Sequence, residues 1–151
     1  MTRLTRLTLT LLILNLLALS GCTQSSDNDI VKPNDDLSNQ ARVYFISPLD
    51  GQTVANTFKI RFGLQGMGIA PAGVVKDNTG HHHLLVNLKE LPDMSASLPA
   101  TDQIIHFGGG QTETVLELPP GQHSLQLLLG DFAHRPHANP ILSEKITIFV
   151  E

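Results

Sequence analysis

Short runs of alternating apolar and polar residues recur along the chain from residue 42 to its end. In residues 58–64, phenylalanine, isoleucine and leucine alternate with lysine, arginine and glycine, and residues 123–129 repeat the pattern with leucine. A period of two is typical of strands with one buried face, and no long 3.6-residue period indicates a helix. The predicted strands are residues 42–47, 58–64, 81–88, 103–107, 112–118, 123–129 and 146–150.

Turn signals between these strands complete the fold prediction. Asp50-Gly51, the triple glycine 108–110 and the Pro-Pro-Gly sequence 119–121 are each typical of a tight turn. Many short strands separated by such turns indicate a sandwich of two sheets. We therefore expect an all-β, immunoglobulin-like antiparallel β-sandwich over residues 43–151.

Composition and charge exclude several classes of protein. The chain has 41% apolar and 16% charged residues, which is the composition of a globular domain. The net charge is −4, with 10 Lys and Arg against 14 Asp and Glu, and this argues against nucleic-acid binding, which needs a basic surface. A single cysteine allows neither an internal disulfide nor a zinc site made of thiolates.

Residues 1–21 have the pattern of an export signal. Two arginines precede an apolar run at residues 7–19, which is shorter than the stretch of about 20 residues that spans a bilayer. The run ends in Leu-Ser-Gly-Cys at residues 19–22, and this resembles the lipobox of bacterial lipoproteins. The resemblance implies cleavage before Cys22 and lipidation of its sulfur. The alternative is an ordinary secretory signal with an unrelated cysteine.

Residues 22–42 are predicted to form the lipidated cysteine and a flexible tether, because they are polar and lack any apolar period. Thr23 rather than aspartate follows the cysteine. By resemblance to lipoproteins, this favours the outer membrane, with the domain facing the periplasm. The expected organisation is therefore a signal peptide (1–21), a tether held to the membrane by its lipid (22–42) and a sandwich domain (43–151).

Six of the seven histidines are predicted to meet at one pole of the sandwich. In an up-and-down arrangement, the start of the third strand, the end of the fourth strand and the loop after the sixth strand lie at the same end. His123 falls at the opposite end, where it resembles the tyrosine corner of immunoglobulin-like domains. The residues expected at the shared pole are His81, His82, His83, His106, Asp131, His134 and His137.

Imidazoles gathered in this way point to a metal site. Neutral imidazole binds zinc and copper(II), and three or four histidines, or three with a carboxylate, make a complete set. The predicted ligands are His81, His83, His106 and His137, with His134 and Asp131 as further ligands or as groups that orient them. Met67, in a loop at the same pole, would favour copper(I). Without metal, we expect crowded histidines to titrate near about pH 6–7.

A structural interpretation stands beside this one. His82 and His123 are predicted to be hydrogen-bonded structural residues, and the other histidines can equally form a structural or peptide-binding network. Leu85, Leu128 and Phe149 fall on the outer face of the sheet that carries the third, sixth and seventh strands. They form either an interface patch or a surface covered by residues 89–101.

Several motifs resemble a known family. They are Val43-Tyr44-Phe45-Ile46-Ser47-Pro48, Gly80-His81-His82-His83, His106-Phe107-Gly108, Pro119-Pro120-Gly121-Gln122-His123 and His134-Arg135-Pro136-His137. In their order and in their residues, these motifs resemble the bacterial envelope family catalogued as domain of unknown function 4399, over about residues 43–150. The resemblance implies a small exported domain with shared histidine motifs and no assigned activity.

Two functional hypotheses follow. The first is a lipid-anchored envelope domain that binds copper or zinc, and the second is a non-catalytic structural or adaptor domain that binds an envelope protein partner. An enzyme would need a nucleophile or an open metal position, and the sequence identifies neither. It also lacks the H-E-x-x-H, G-x-S-x-G and P-loop motifs, so the pattern favours binding over catalysis.

Overall fold

A computed structural model describes residues 40–151 of the chain. All of them belong to the compact unit Pro33–Glu151. Outside the described residues lie the predicted signal peptide, Cys22 and the predicted tether as far as residue 39. Among the residues described, no helix is long and apolar enough to cross a bilayer.

The described part of the chain is made of strands, turns and loops, without a helix. The strands are β1 (Arg42–Ser47), β2 (Thr53–Val54), β3 (Thr57–Gln65), β4 (Gly68–Ile69), β5 (Thr79–Val86), β6 (Ile104–His106), β7 (Glu113–Glu117), β8 (Gly121–Gly130) and β9 (Ile146–Val150). All seven predicted strands are present. β2 and β4 are additional, and at two residues each they are too short to show an alternating pattern.

Two sheets pack face to face, so the predicted all-β sandwich is confirmed. The smaller sheet has the order β1-β3-β7, and the larger has the order β2-β9-β8-β5-β4 with β6 paired to β5. The long pairings are antiparallel, whereas the two-residue strands β2 and β4 pair in parallel with β9 and β5. Because β6 joins the larger sheet, its residues lie beside β5.

The main core lies between the two sheets and is built from the alternating residues. Phe58, Ile60 and Phe62 of β3 are buried, while the lysine and arginine between them are exposed. From the other sheet, Leu125, Leu127 and Leu129 of β8 face them and are fully buried. Burial of each such side chain stabilises the fold by about 1.5–3 kcal/mol, so this pattern dictates which face of each strand turns inward.

The outer face of the larger sheet is also covered. Leu85 and Leu128 are 2% and 0% exposed, and they form a second apolar cluster with Leu98 and Ile104. Of the two alternatives for this surface, the structure has the segment around residues 89–101 folded over both leucines. An interface patch at these leucines is therefore wrong, and Phe149 alone of the three predicted residues remains exposed, at 44%.

His123 holds the start of β8, at the end of the sandwich away from the other histidines. Its Nε2–H donates to the carbonyl oxygen of Pro119 at 2.8 Å, and its Nδ1 accepts from the amide nitrogen of Asn87 at 2.8 Å. The proton lies on Nε2 because a carbonyl oxygen only accepts. The amide oxygen of Asn87 accepts in turn from the backbone N–H of Ser124 at 2.9 Å. The predicted structural role of His123 is confirmed.

We expect His123→Ala to lower the free energy of unfolding by about 1–3 kcal/mol, because it removes two partly buried hydrogen bonds and leaves their partners unsatisfied. Urea denaturation measures the change. His123→Phe is the matched control, since it keeps an aromatic ring but neither hydrogen bond, and it should lose a similar amount. Wild-type stability in both variants would contradict this role.

Candidate metal centre

Three histidines from two paired strands form a compact group on the outer face of the larger sheet. His81 and His83 are two residues apart on β5, so their side chains leave the same face. β6 pairs antiparallel with β5 and places His106 directly opposite His83. One ring nitrogen from each residue lies within 4.8 Å of those of the other two. The predicted convergence of strand-end histidines is therefore seen for these three residues.

The nitrogens of this group are buried without hydrogen bonds. His81 and His83 are 0% and 1% exposed, and neither ring nitrogen of either residue has a hydrogen-bond partner. The Nε2 atom of His106 is also buried without a hydrogen-bond partner, although the residue as a whole is only half-buried. Each buried polar group without a partner costs about 1–3 kcal/mol, so this arrangement is unfavourable unless something binds the nitrogens.

A fourth imidazole, His134, lies against the group. Its ring centroid is 4.4 Å from that of His106, 5.1 Å from that of His81 and 6.1 Å from that of His83. It meets each of the three rings edge-on. His134 comes from the loop after β8, whereas the other three come from strands. We call these four residues the histidine cluster.

Two glycines allow the rings to lie this close to the backbone. A Cβ atom at Gly130 would be 2.6 Å from Cε1 of His83, and one at Gly108 would overlap the ring of His106. Any larger residue at these positions would displace an imidazole. The predicted tight turn at the triple glycine is also present, because the N–H of Gly110 donates to Phe107 at 3.0 Å with a positive φ of 78°.

Burial keeps His81 and His83 uncharged. Burial first, and then the charges of the neighbouring imidazoles, lower the pKa of His81 to about 4 and that of His83 to about 3. The negative charge of Asp131 opposes the shift in the pKa of His81. Burial and His134 lower the pKa of His106 as well. The expectation of titration near neutral pH is therefore wrong for His81 and His83, whose side chains are buried away from water.

Asp131 organises the loop after β8. Its Oδ1 accepts the backbone N–H groups of Ala133 and Arg135 at 2.8 and 2.9 Å. It is not a member of the three-residue group whose ligand atoms lie close together. Of its two predicted roles, the geometry favours orientation of the loop over direct ligation.

His137 and Met67 lie apart from the cluster. Both line a cavity of about 420 Å³, and in the described part of the chain His137 makes no ring contact with the cluster. Pro136, between His134 and His137, is held in a bridge to Gly130. His134, and not His137, makes ring contacts with the strand histidines, so it takes the position that was predicted for His137.

His82 points to the opposite face of β5, into the main core. Its ring centroid is 5.1 Å from that of Phe62, which also packs against Phe107. Burial lowers the pKa of His82, while the backbone carbonyls of Gln111 and Gly63 partly offset the shift. Its predicted inward placement is confirmed. The predicted hydrogen bonds are not seen, because both of its ring nitrogens are buried without a hydrogen-bond partner.

This arrangement offers imidazole nitrogen and nothing else. Neutral imidazole is the form that binds metal, and the lowered pKa values keep it neutral throughout the physiological range. Nitrogen-only sets suit zinc and copper(II), whereas copper(I) prefers sulfur. The three strand histidines together can hold a metal ion.

Comparison with known proteins bears on the fold and the family. Curated proteins give no significant match to the chain. Among solved structures, the chain is similar to an endo-beta-1,4-mannanase from Thermotoga petrophila at 18% identity and a TM-score of 0.45, over 74% of this chain and 20% of the mannanase chain. The family described as "Domain of unknown function (DUF4399)" matches residues 60–151, which include the whole histidine cluster. The chain therefore belongs to the DUF4399 family.

Proposed function

We propose that this protein is a metal-binding domain that holds one zinc or copper ion through His81, His83 and His106. The observation that carries the proposal is the set of five buried ring nitrogens without hydrogen bonds, on three residues whose ligand atoms lie within 4.8 Å of one another. A bound ion would take one lone pair from each of the three rings and so offset part of the free-energy cost of burial.

The donor atoms narrow the choice of metal. No thiolate, thioether or carboxylate belongs to the three-residue group among the described residues. Zinc and copper(II) accept nitrogen-only sets, so they are favoured over copper(I) and over magnesium or calcium, which need oxygen.

We further propose that the domain works at the cell envelope. The support is the sequence pattern of residues 1–22, with its basic start, short apolar run and terminal cysteine. In this proposal, lipid on Cys22 anchors the protein to the outer membrane, and the sandwich faces the periplasm. Mass spectrometry of the protein from bacterial membranes tests it, because lipidation adds acyl mass to a chain that begins at Cys22.

A second candidate function is that of an adaptor for an envelope protein. It is supported by apolar side chains exposed near the loop that carries His134. Val74, Val75 and Phe132 are 45%, 74% and 44% exposed, and the N–H of Gly73 donates to the carbonyl of Phe132 at 2.9 Å. Chemical crosslinking in the envelope tests this candidate, with Val75→Ser/Phe132→Ser expected to lose the crosslinked partner.

Calorimetric titration of the untagged protein with copper(II) and zinc(II) tests metal binding. We expect a single ion per chain, and no binding in the double variant His83→Ala/His106→Ala. His137→Ala is the matched control, because it removes a histidine outside the cluster and should bind as the wild type does. Absence of binding to either metal in the wild type, or loss of binding in His137→Ala, would contradict the proposal.

A further inference from the structure

The backbone of His134 is held in an unusual conformation. Its φ is +63°, in the left-handed region that residues with a Cβ atom rarely adopt. Such a conformation persists only where the surrounding structure over-determines it, and it is often found at ligand clamps. The loop around His134 therefore contains interactions that select this conformation.

Those interactions converge from both sides of the loop. The N–H of His134 donates to the carbonyl of Asp131 at 3.0 Å, and the N–H of Asp131 donates to the carbonyl of Arg135 at 2.8 Å. The carboxylate of Asp131 accepts the N–H groups that flank His134, those of Ala133 and Arg135. From the covering segment, the N–H of Leu98 donates to the carbonyl of His134 at 2.9 Å.

These hydrogen bonds fix the backbone of His134, which carries its imidazole against the strand histidines. It lies 4.4 Å from the ring of His106 and 5.1 Å from the ring of His81, measured between centroids. The strand residues supply three ligands, whereas zinc sites that serve structure are almost always four-coordinate and closed. The ring nitrogens of His134 are not among the ligand atoms that lie within 4.8 Å of one another, but its ring contacts all three strand imidazoles, which is where a fourth ligand would lie.

We propose that His134 is the fourth metal ligand and that Asp131 is the positioning residue that places it there. The inference rests on the proposed function, and it adds the coordination number and the residue that positions the last ligand. With four imidazoles the site has no open position for water or substrate, so it stores or transfers an ion, or stabilises the fold, and does not activate water.

Three variants separate the parts of this proposal. His134→Asn removes the imidazole but keeps the backbone, because asparagine tolerates the left-handed region. Asp131→Ala removes the acceptor for two N–H groups. Asp131→Asn retains an amide oxygen that can accept both of them, while removing the charge.

The probes are zinc(II), for affinity, and cobalt(II), whose visible absorption is stronger in four-coordinate than in six-coordinate sites. We expect His134→Asn and Asp131→Ala each to weaken zinc binding by about 10–100-fold. Both variants should also shift the visible bands of bound cobalt(II), because water in place of an imidazole changes the ligand field of the ion. Asp131→Asn should restore the affinity and the bands to wild-type values.

Each contrary outcome has a distinct meaning. If the wild type binds zinc and His134→Asn binds it equally well, His134 is not a ligand and this inference is overturned while the proposed function stands. If Asp131→Asn is as weak as Asp131→Ala, Asp131 acts by charge or by ligation and its positioning role is overturned. A wild type that binds neither metal overturns the proposed function itself. Amide hydrogen exchange at Ala133 and Arg135 adds a metal-independent test, with faster exchange expected in Asp131→Ala alone of the two Asp131 variants.

Discussion

Zinc at about a hundredfold excess over its dissociation constant is expected to raise the free energy of unfolding by about 2.7 kcal/mol, because it binds the folded state and not the unfolded chain. For a domain of this size the melting temperature should rise by roughly 10 °C. The double variant His83→Ala/His106→Ala should show no such rise. Thermal unfolding followed by circular dichroism, with and without zinc, measures both.

The control for this experiment is His137→Ala, which removes a histidine that lines the separate cavity. It should keep the full rise in melting temperature. A rise that survives in the double variant would place the ion elsewhere. No rise in the wild type with zinc or copper(II) would mean that the cluster does not hold either metal.

Acid is expected to destabilise the metal-free protein strongly. Histidine has a pKa of 6.5 in the unfolded chain, whereas burial lowers the pKa of His81 to about 4 and that of His83 to about 3. Below the unfolded pKa, the unfolded state therefore binds protons that the folded state does not, and stability falls as the pH falls. Through these two residues together, the free energy of unfolding should fall by on the order of several kcal/mol between about pH 7 and about pH 4.

Urea denaturation at a series of pH values, in the presence of a chelator, measures this dependence. Above about pH 5, the change in stability comes from the histidines. Asp93 and Glu113 have lowered pKa values, but these affect stability only near and below the ordinary values of 3.8 and 4.5. His81→Leu/His83→Leu is the matched variant, since leucine fills the site without titrating. Its stability should fall less than that of the wild type between about pH 7 and about pH 5, because only His82 and His106 then retain lowered pKa values. A wild-type protein as stable at about pH 5 as at about pH 7 would contradict the burial of neutral imidazoles.

Most of the fold follows from alternation in the sequence. Residues of β3 and β8 alternate in polarity because one face of each strand packs into the core, so both the strands and their inward faces are predictable. The direction of successive strands also predicts which strand ends meet, so the convergence of His81, His83 and His106 is predictable as well. Two-residue strands such as β2 and β4 carry no period and are not predictable in this way.

The details of the site depend on loops, which have no period. The segment that covers Leu85 and Leu128 also contacts the loop of His134, through the N–H of Leu98, and its only signals in the sequence are scattered apolar residues. Which of His134 and His137 meets the strand histidines depends on the conformation of a short loop that is closed by the bridge from Gly130 to Pro136, and an alternating pattern does not predict that conformation.

Glycines beside the histidines are a further signal of the site. Gly108 and Gly130 lie close in sequence to His106 and Asp131, and each makes room for an imidazole ring. A glycine beside a cluster of candidate ligands can thus indicate the close approach of a side chain as well as a turn. Substitution of either glycine by alanine should displace a ring of the cluster.

The central claim is that the histidine cluster holds a metal ion, and a crystal structure of the protein grown with zinc tests it most directly. Anomalous diffraction at the zinc absorption edge locates the ion independently of the positions of the protein atoms. We predict one peak at about 2.0–2.1 Å from a ring nitrogen of each of His81, His83 and His106. A cluster without an anomalous peak, or a peak beside His137 and Met67 instead, would contradict the account.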